Sequence, residues 1–227
     1  MERTHPTQSD SVHYVNLERL IFLVDGVFAI TITLLVLELR PPEDSLTNLA
    51  EGLQGMLPRL SIYLIAFYSI ANHWVVHQRM FRHITSADTT LLWLTLLSLL
   101  FVTLIPAATA IVGRFPSEGL AVAIFSANSF FQAFVNWVFW GYVLKRYDQF
   151  AEQSNPQLLK ITTQVWLVIS VGWLVSIPLG FLNVNVAYAA WIIWPNLVAL
   201  WGNAKRNRLH ILPVKESGWD VKKKKRA

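Results

Sequence analysis

The chain has 227 residues, of which 54% are hydrophobic and only 15% charged, with a formal charge of +5 and a mean hydropathy of +0.41. A soluble domain of this size carries more charge and fewer apolar residues, so composition excludes one. The absence of cysteine also excludes disulfides, thiolate zinc sites and cysteine nucleophiles.

The apolar residues come in blocks, several of them reaching the ~20 residues that a helix needs to cross the hydrocarbon core. The first sixteen residues are polar and mixed in charge, without a basic n-region. The apolar run after them is too long for a signal h-region and lacks a small-residue cleavage site, so it reads as a retained first span. That span covers residues 20–39, and Pro41 and Pro42 stop it. Residues 43–59 read as a polar loop with room for a short amphipathic helix. The second span covers 60–77, the third 90–112 with a kink at Pro106, and the fourth 120–144. A fifth covers 161–182, where Pro178 is a possible bend, and a sixth covers 186–202. The chain divides accordingly into a cytoplasmic segment 1–16, a six-helix membrane domain 17–204 and a basic tail 205–227.

Charge placement orients these spans. With the N-terminus inside, every Lys and Arg of the 19 falls on the cytoplasmic side except Arg40, Arg59 and Arg114. The same asymmetry favours an even number of spans, because an odd one would export Lys222, Lys223, Lys224, Lys225 and Arg226. That tail reads as a solvated terminus that favours anionic lipid rather than nucleic acid, since no nucleic-acid fold accompanies it. Trp137, Trp140, Trp191, Trp194 and Trp201 lie toward predicted span ends, as interface anchors do, though such residues also pack between helices.

Polar residues inside spans are the functional pointers, since a charge at a helix centre costs ~3 kcal/mol. Asp25 lies about one turn inside the first span, with Arg19 at its cytoplasmic mouth. Six residues separate them, which puts them roughly 120° apart around the helix and rules out an i,i+4 pair. Each therefore needs a partner on another helix, and His77 and Arg79 stand at the same level. Two readings stay open: a structural polar clamp, or an ion or proton site. His73 and His77 are four apart, a spacing that can share a metal, but no third ligand lies near in sequence, and interhelical hydrogen bonds are the expectation. Glu38 closes the first span at the outer face, where an acidic mouth would attract cations. No G-x-S-x-G, phosphate loop or H-E-x-x-H is present, so the chain is not read as an enzyme. A channel, a proton-coupled secondary transporter using Asp25 and His77, and a non-conducting scaffold are left. Discontinuous helices would favour the transporter, and the first span has no Gly/Pro break of that kind.

The first span runs Arg19, three residues, then Leu23-Val-Asp25-Gly-Val-Phe-Ala-Ile30, and the second ends Trp74-Val-Val-His77-Gln-Arg79-Met-Phe81. These stretches, with Asp88 to Pro106 after them, resemble the prokaryotic relatives of the endolysosomal potassium channel, the transmembrane protein 175 family. The resemblance covers residues 17–112. One departure is that Leu23-Val24 stands where the family has Phe-Ser before the aspartate. The resemblance implies a homotetramer of six-helix subunits with cytoplasmic termini, multi-pass in the inner (plasma) membrane, with the first helix lining a central pore. It implies a pore constriction at Ile30, Leu34 and Leu37, selectivity from Thr33 with Thr31, and an inner polar network of Arg19, Asp25, Trp74, His77 and Arg79. Potassium would be the permeant ion and monovalent cations and the lipid bilayer the partners, with no cofactor, metal or nucleic acid. Spacing alone leaves a lipid-facing stripe equally open for Ile30, Leu34 and Leu37.

Overall fold

The structure, a computed structural model, describes residues 16–39, 49–151 and 154–208. These form α1 (Leu17–Leu34), a 3-10 turn (Leu35–Glu38), α2 (Leu49–Phe81), α3 (Thr89–Thr103), α4 (Ile105–Arg114), α5 (Gly119–Lys145), α6 (Tyr147–Phe150), α7 (Pro156–Leu182) and α8 (Val184–Arg208). Pro41, Pro42 and the basic tail from 209 onward lie outside the described residues.

Local chemistry places the helix starts. The Asn16 side chain accepts from the Arg19 N–H at 3.1 Å and caps α1. The Asp88 carboxylate accepts from the Leu91 N–H at 2.8 Å and caps α3. Asn155 accepts from the Gln157 N–H at 2.8 Å, with Pro156 as the first residue of α7, where its missing N–H costs nothing. Asn183 receives the N–H groups of Asn185 and Val186 and turns the chain directly from α7 into α8. Pro106 lies in the first turn of α4, and the break from α3 falls at Leu104, so the expected kink is a division into two helices.

Among the described residues, five segments are long and apolar enough to cross a membrane: Leu17–Leu37, Thr89–Arg114, Gly119–Lys145, Pro156–Leu182 and Val184–Arg208. The long α2 is not one of them. Its second half carries Asn72, His73, His77, Gln78 and Arg79, several of which bond to neighbouring helices and lower its apolarity. It also starts at Leu49, inside the stretch read as a polar loop, because Leu49, Leu53 and Leu57 continue the helix without interruption through Pro58. At the other end α8 continues to Arg208, beyond the sixth span's expected end.

The bundle has a tight middle and two looser edges. α5 packs along α7, α8 leans on α7, and α3 and α4 lie on the other flank of α5. α1 rests on α2 and α3 at the far edge. Where α5 begins, its backbone meets the end of α7: a Cβ on Gly119 would stand 2.7 Å from the Gly180 carbonyl oxygen and 3.1 Å from Phe181 Cα. Because the obstruction is backbone, it cannot swing aside. Gly119→Ala is expected to lose ~1–3 kcal/mol, an overpacking cost, read as a lower melting temperature in detergent. Gly113→Ala, whose Cβ would meet only Arg59 Cγ at 4.0 Å, should show no loss.

The tryptophans divide. Trp140 and Trp191 are core residues rather than interface anchors. Trp191 Nε1 donates to Ser126 Oγ at 3.1 Å and Ser176 Oγ at 2.9 Å, satisfying the indole inside the α5–α7–α8 packing. Trp194 Nε1 donates to the Val168 carbonyl at 3.2 Å, across from α8 to α7. Trp201 stays exposed beneath the Lys205 ammonium, 4.3 Å from its ring centroid.

Candidate functional site

α1 has two faces. Val24, Phe28 and Thr31 are 0%, 2% and 1% exposed and, with Leu20 and Leu35, turn into the subunit. Ile30, Leu34 and Leu37 are 61%, 44% and 54% exposed on the opposite side. Leu23, Gly26 and Thr33 share that outward face, which reads 23–26–30–33/34–37, a three-four spacing that keeps one stripe in line along the helix. The subunit thus leaves an apolar stripe, with a single hydroxyl level, uncovered.

The two threonines are parted by this geometry. Thr31 is buried, its hydroxyl donating to the Val27 carbonyl at 2.8 Å. Thr33 is exposed beside Ile30, and its hydroxyl donates to the Ile30 carbonyl at 2.8 Å. A hydroxyl that has spent its proton on the backbone still has oxygen lone pairs to offer outward. Thr33 therefore shares the stripe of Ile30, Leu34 and Leu37, and Thr31 does not. Glu38 ends the 3-10 turn, and its side chain lies outside the described residues.

Around Asp25 the side chains of α1 and α2 meet as follows. Asp25 Oδ1 accepts from Trp74 Nε1 at 2.9 Å and from Gln78 Nε2 at 3.1 Å, both on α2. Trp74 and Gln78 are four apart on one face of α2, so a single carboxylate collects both. His77 joins α1 through its ring instead, stacked on Phe81 at 4.0 Å between centroids and 5.9 Å from Phe28. Arg19 stands exposed in the first turn of α1, and exposed Arg79 borders a cavity between α2 and α8. The neutral donors Trp74 and Gln78 thus take the role expected of the cations. Val24, where the resembled family has Ser, is fully buried on the face turned away from the stripe.

A second polar layer was not anticipated. Asn128, Gln132 and Asn136 recur every four residues on α5 and form one stripe inside an apolar span. Asn128 Nδ2 donates to the Phe101 carbonyl and Asn136 Nδ2 to Ser98 Oγ, each at 3.0 Å, on α3. The Gln132 amide contacts His73 Nε2 on α2. His73 and His77 therefore face different partners, one on α5 and one on α1. The spacing of the three amides is the signal in the sequence that points to this layer.

A third cluster sits where α2 passes into α3. Asp88 Oδ2 accepts from Tyr142 Oη at 2.6 Å and lies 3.6 Å from Arg146 Nη1, so the residue that caps α3 also grips the end of α5.

Comparison with known proteins bears on this geometry. Residues 19–106 match the family described as the endosomal/lysosomal potassium channel TMEM175. A potassium channel of Streptomyces collinus is 28% identical over 73% of this chain and 83% of its own length. A potassium channel of Chamaesiphon minutus is 27% identical over 79% of this chain and 92% of its own. The crystal structure of a lysosomal potassium-selective channel TMEM175 homolog from Chamaesiphon minutus superposes with a TM-score of 0.71 at 25% identity, covering 82% of this chain and 98% of that one.

Proposed function

This chain is a prokaryotic member of the TMEM175 family, and on that premise we propose that it is a passive, potassium-preferring cation channel. The reading has the chain as a homotetramer of six-helix subunits with cytoplasmic termini in the inner membrane, α2 counting as the sixth crossing. Four copies of α1 surround the axis, and their outward stripes form the pore wall. The observation that carries this reading is the uncovered apolar stripe of Ile30, Leu34 and Leu37, opposite the buried Leu20, Val24, Phe28 and Thr31. One helix cannot enclose a pore, and rotational symmetry turns one stripe into a closed wall.

In this reading selectivity comes from dehydration. An ion at a ring of four Ile30 side chains sheds part of its water and finds no replacement oxygens. Potassium holds its water less tightly than sodium and has the smaller penalty. The Thr33 oxygens, one turn further along, partly compensate an ion that has just passed the ring. Asp25 sets the tilt of α1 through α2, and Glu38 belongs to the outer mouth.

The cysteine-free background makes the assembly directly testable. Ile30→Cys and Leu37→Cys are expected to cross-link between subunits with a short bis-thiol reagent, while Val171→Cys, exposed on α7, stays monomeric. Potassium flux into proteoliposomes should be unaffected by an imposed proton gradient. A monomeric protein, or absence of cross-links at residues 30 and 37, leaves the stripe facing lipid and sinks the pore. Uphill flux driven by protons would make the chain a transporter.

A further inference from the structure

A cavity of about 440 Å³ lies between α2, α5, α7 and α8, on the side of the subunit away from α1. That volume falls within the ~300–1,000 Å³ of sites that take small molecules. Its walls are apolar and aromatic, including Ile65, Trp166, Trp173 and Trp191. Tyr68 Oη donates to Asn196 Oδ1 at 3.0 Å and links α2 to α8 alongside it. Two guanidinium groups, Arg79 near the end of α2 and Arg206 near the end of α8, stand at one end of this wall. Both border the same cavity, and Arg206 Nη2 also donates to Asn203 Oδ1 at 2.8 Å. Among the described lining residues there is no carboxylate to neutralise them.

Two cations at the edge of one apolar chamber, with no carboxylate beside them in its lining, make a positive rim that attracts an anion. The anion must also bring apolar bulk, since the chamber behind the arginines is greasy. We propose that this cavity is a binding site for an anionic phospholipid. Its phosphate sits between Arg79 and Arg206, and one acyl chain enters among the tryptophans. Guanidinium groups suit this task because they bind phosphate in a bidentate fork. Both arginines lie in the last turns of helices that end on the same side, so the lipid comes from that leaflet. The channel orientation proposed above makes it the cytoplasmic one, where anionic headgroups meet basic pockets between helices. The site is separate from the α1 stripe, so its test does not depend on ion flux.

Native mass spectrometry of the full chain in detergent with mixed phosphatidylglycerol and phosphatidylcholine is the decisive experiment. One phosphatidylglycerol per subunit should survive the collision energy that strips phosphatidylcholine. Arg79→Ala and Arg206→Ala should each weaken its retention by roughly tenfold, the loss of one charge-assisted contact. Arg206→Lys should keep part of it, and Arg114→Ala, at the other end of the bundle, should keep all of it. Ala199→Phe, or Ala199→Leu if the larger ring prevents folding, should fill the chamber and expel the lipid with both arginines intact. Equal retention of the two lipids, or unchanged retention in the double arginine variant, overturns the site. Thermal protection by inorganic phosphate alone equal to that by phosphatidylglycerol overturns a lipid as the occupant. So does a change of oligomer mass in the Ala199 variants, which would mean that a neighbouring subunit fills the space.

Discussion

Reconstituted Ile30→Asn protein is expected to pass a larger potassium current than wild type, and its reversal potential under opposed potassium and sodium gradients should move toward zero. Ile30 is more than half exposed on a face of α1 that its subunit leaves uncovered. In the proposed tetramer four such side chains meet at the axis and expel water, and the barrier to an ion is the hydration it loses there. An amide ring supplies oxygens that replace this water for either ion, removing the barrier and the discrimination together. Each ~1.4 kcal/mol taken off the barrier raises the rate about tenfold, so even partial wetting is a large effect. Ile30→Ala widens the ring without adding oxygens and should act in the same direction but less strongly. Thr33→Ala removes the outward oxygen and should leave a conducting, less selective pore, while Thr31→Ala, on the packed face, should leave selectivity unchanged. Wild-type current and reversal potential in both Ile30 variants would remove this residue from the ion path.

Much of this geometry is legible in the linear chain, and the rest fails for identifiable reasons. The helices of the C-terminal half announce themselves because their apolar runs are long, but α7 starts at Pro156, capped by Asn155, rather than at the expected 161, because Pro156, Gln157 and Lys160 hide the first turn. The early start of α2 is hidden because Glu51, Gly52, Gly55, Pro58 and Arg59 look like a loop, and only the continuous helix shows that these residues are tolerated in it. Trp191 reads as an interface anchor because it sits near a span end. Its true partners, Ser126 and Ser176, are 65 and 15 residues away and invisible to local pattern. The periodicity of α1 separates two faces, but which one the subunit buries depends on α2 and α3. Asp25 advertises a need for a partner, and charge suggests Arg or His. Reach and angle decide for Trp74, which the family resemblance brings in, and for Gln78, which neither the resemblance nor a search for opposite charge picks out.

That substitution of partners changes what disrupting the network should do. Asp25→Ala removes the acceptor for two donors at once, leaving the Trp74 indole N–H and the Gln78 amide without it in a part-buried setting. The penalty for a buried donor left unsatisfied is ~1–3 kcal/mol. It falls on the contact that ties α1 to α2 about a turn and a half before Ile30. Asp25→Ala should therefore lower the melting temperature in detergent and loosen potassium discrimination in the same protein. Asp25→Asn keeps an oxygen of the same reach and should preserve most of the stability, since neither partner is a cation that requires a charge. Trp74→Phe deletes one donor and leaves Gln78 to serve the carboxylate, so its loss should be the smaller. A cycle through Asp25→Ala and Trp74→Phe should then show a coupling of ~0.5–3 kcal/mol, as pairs in direct hydrogen-bonded contact do. Additive losses would mean that the two side chains act independently. An Asp25→Asn variant as unstable as Asp25→Ala would show that charge at this position, rather than its acceptance of the α2 donors, is what holds α1 in place.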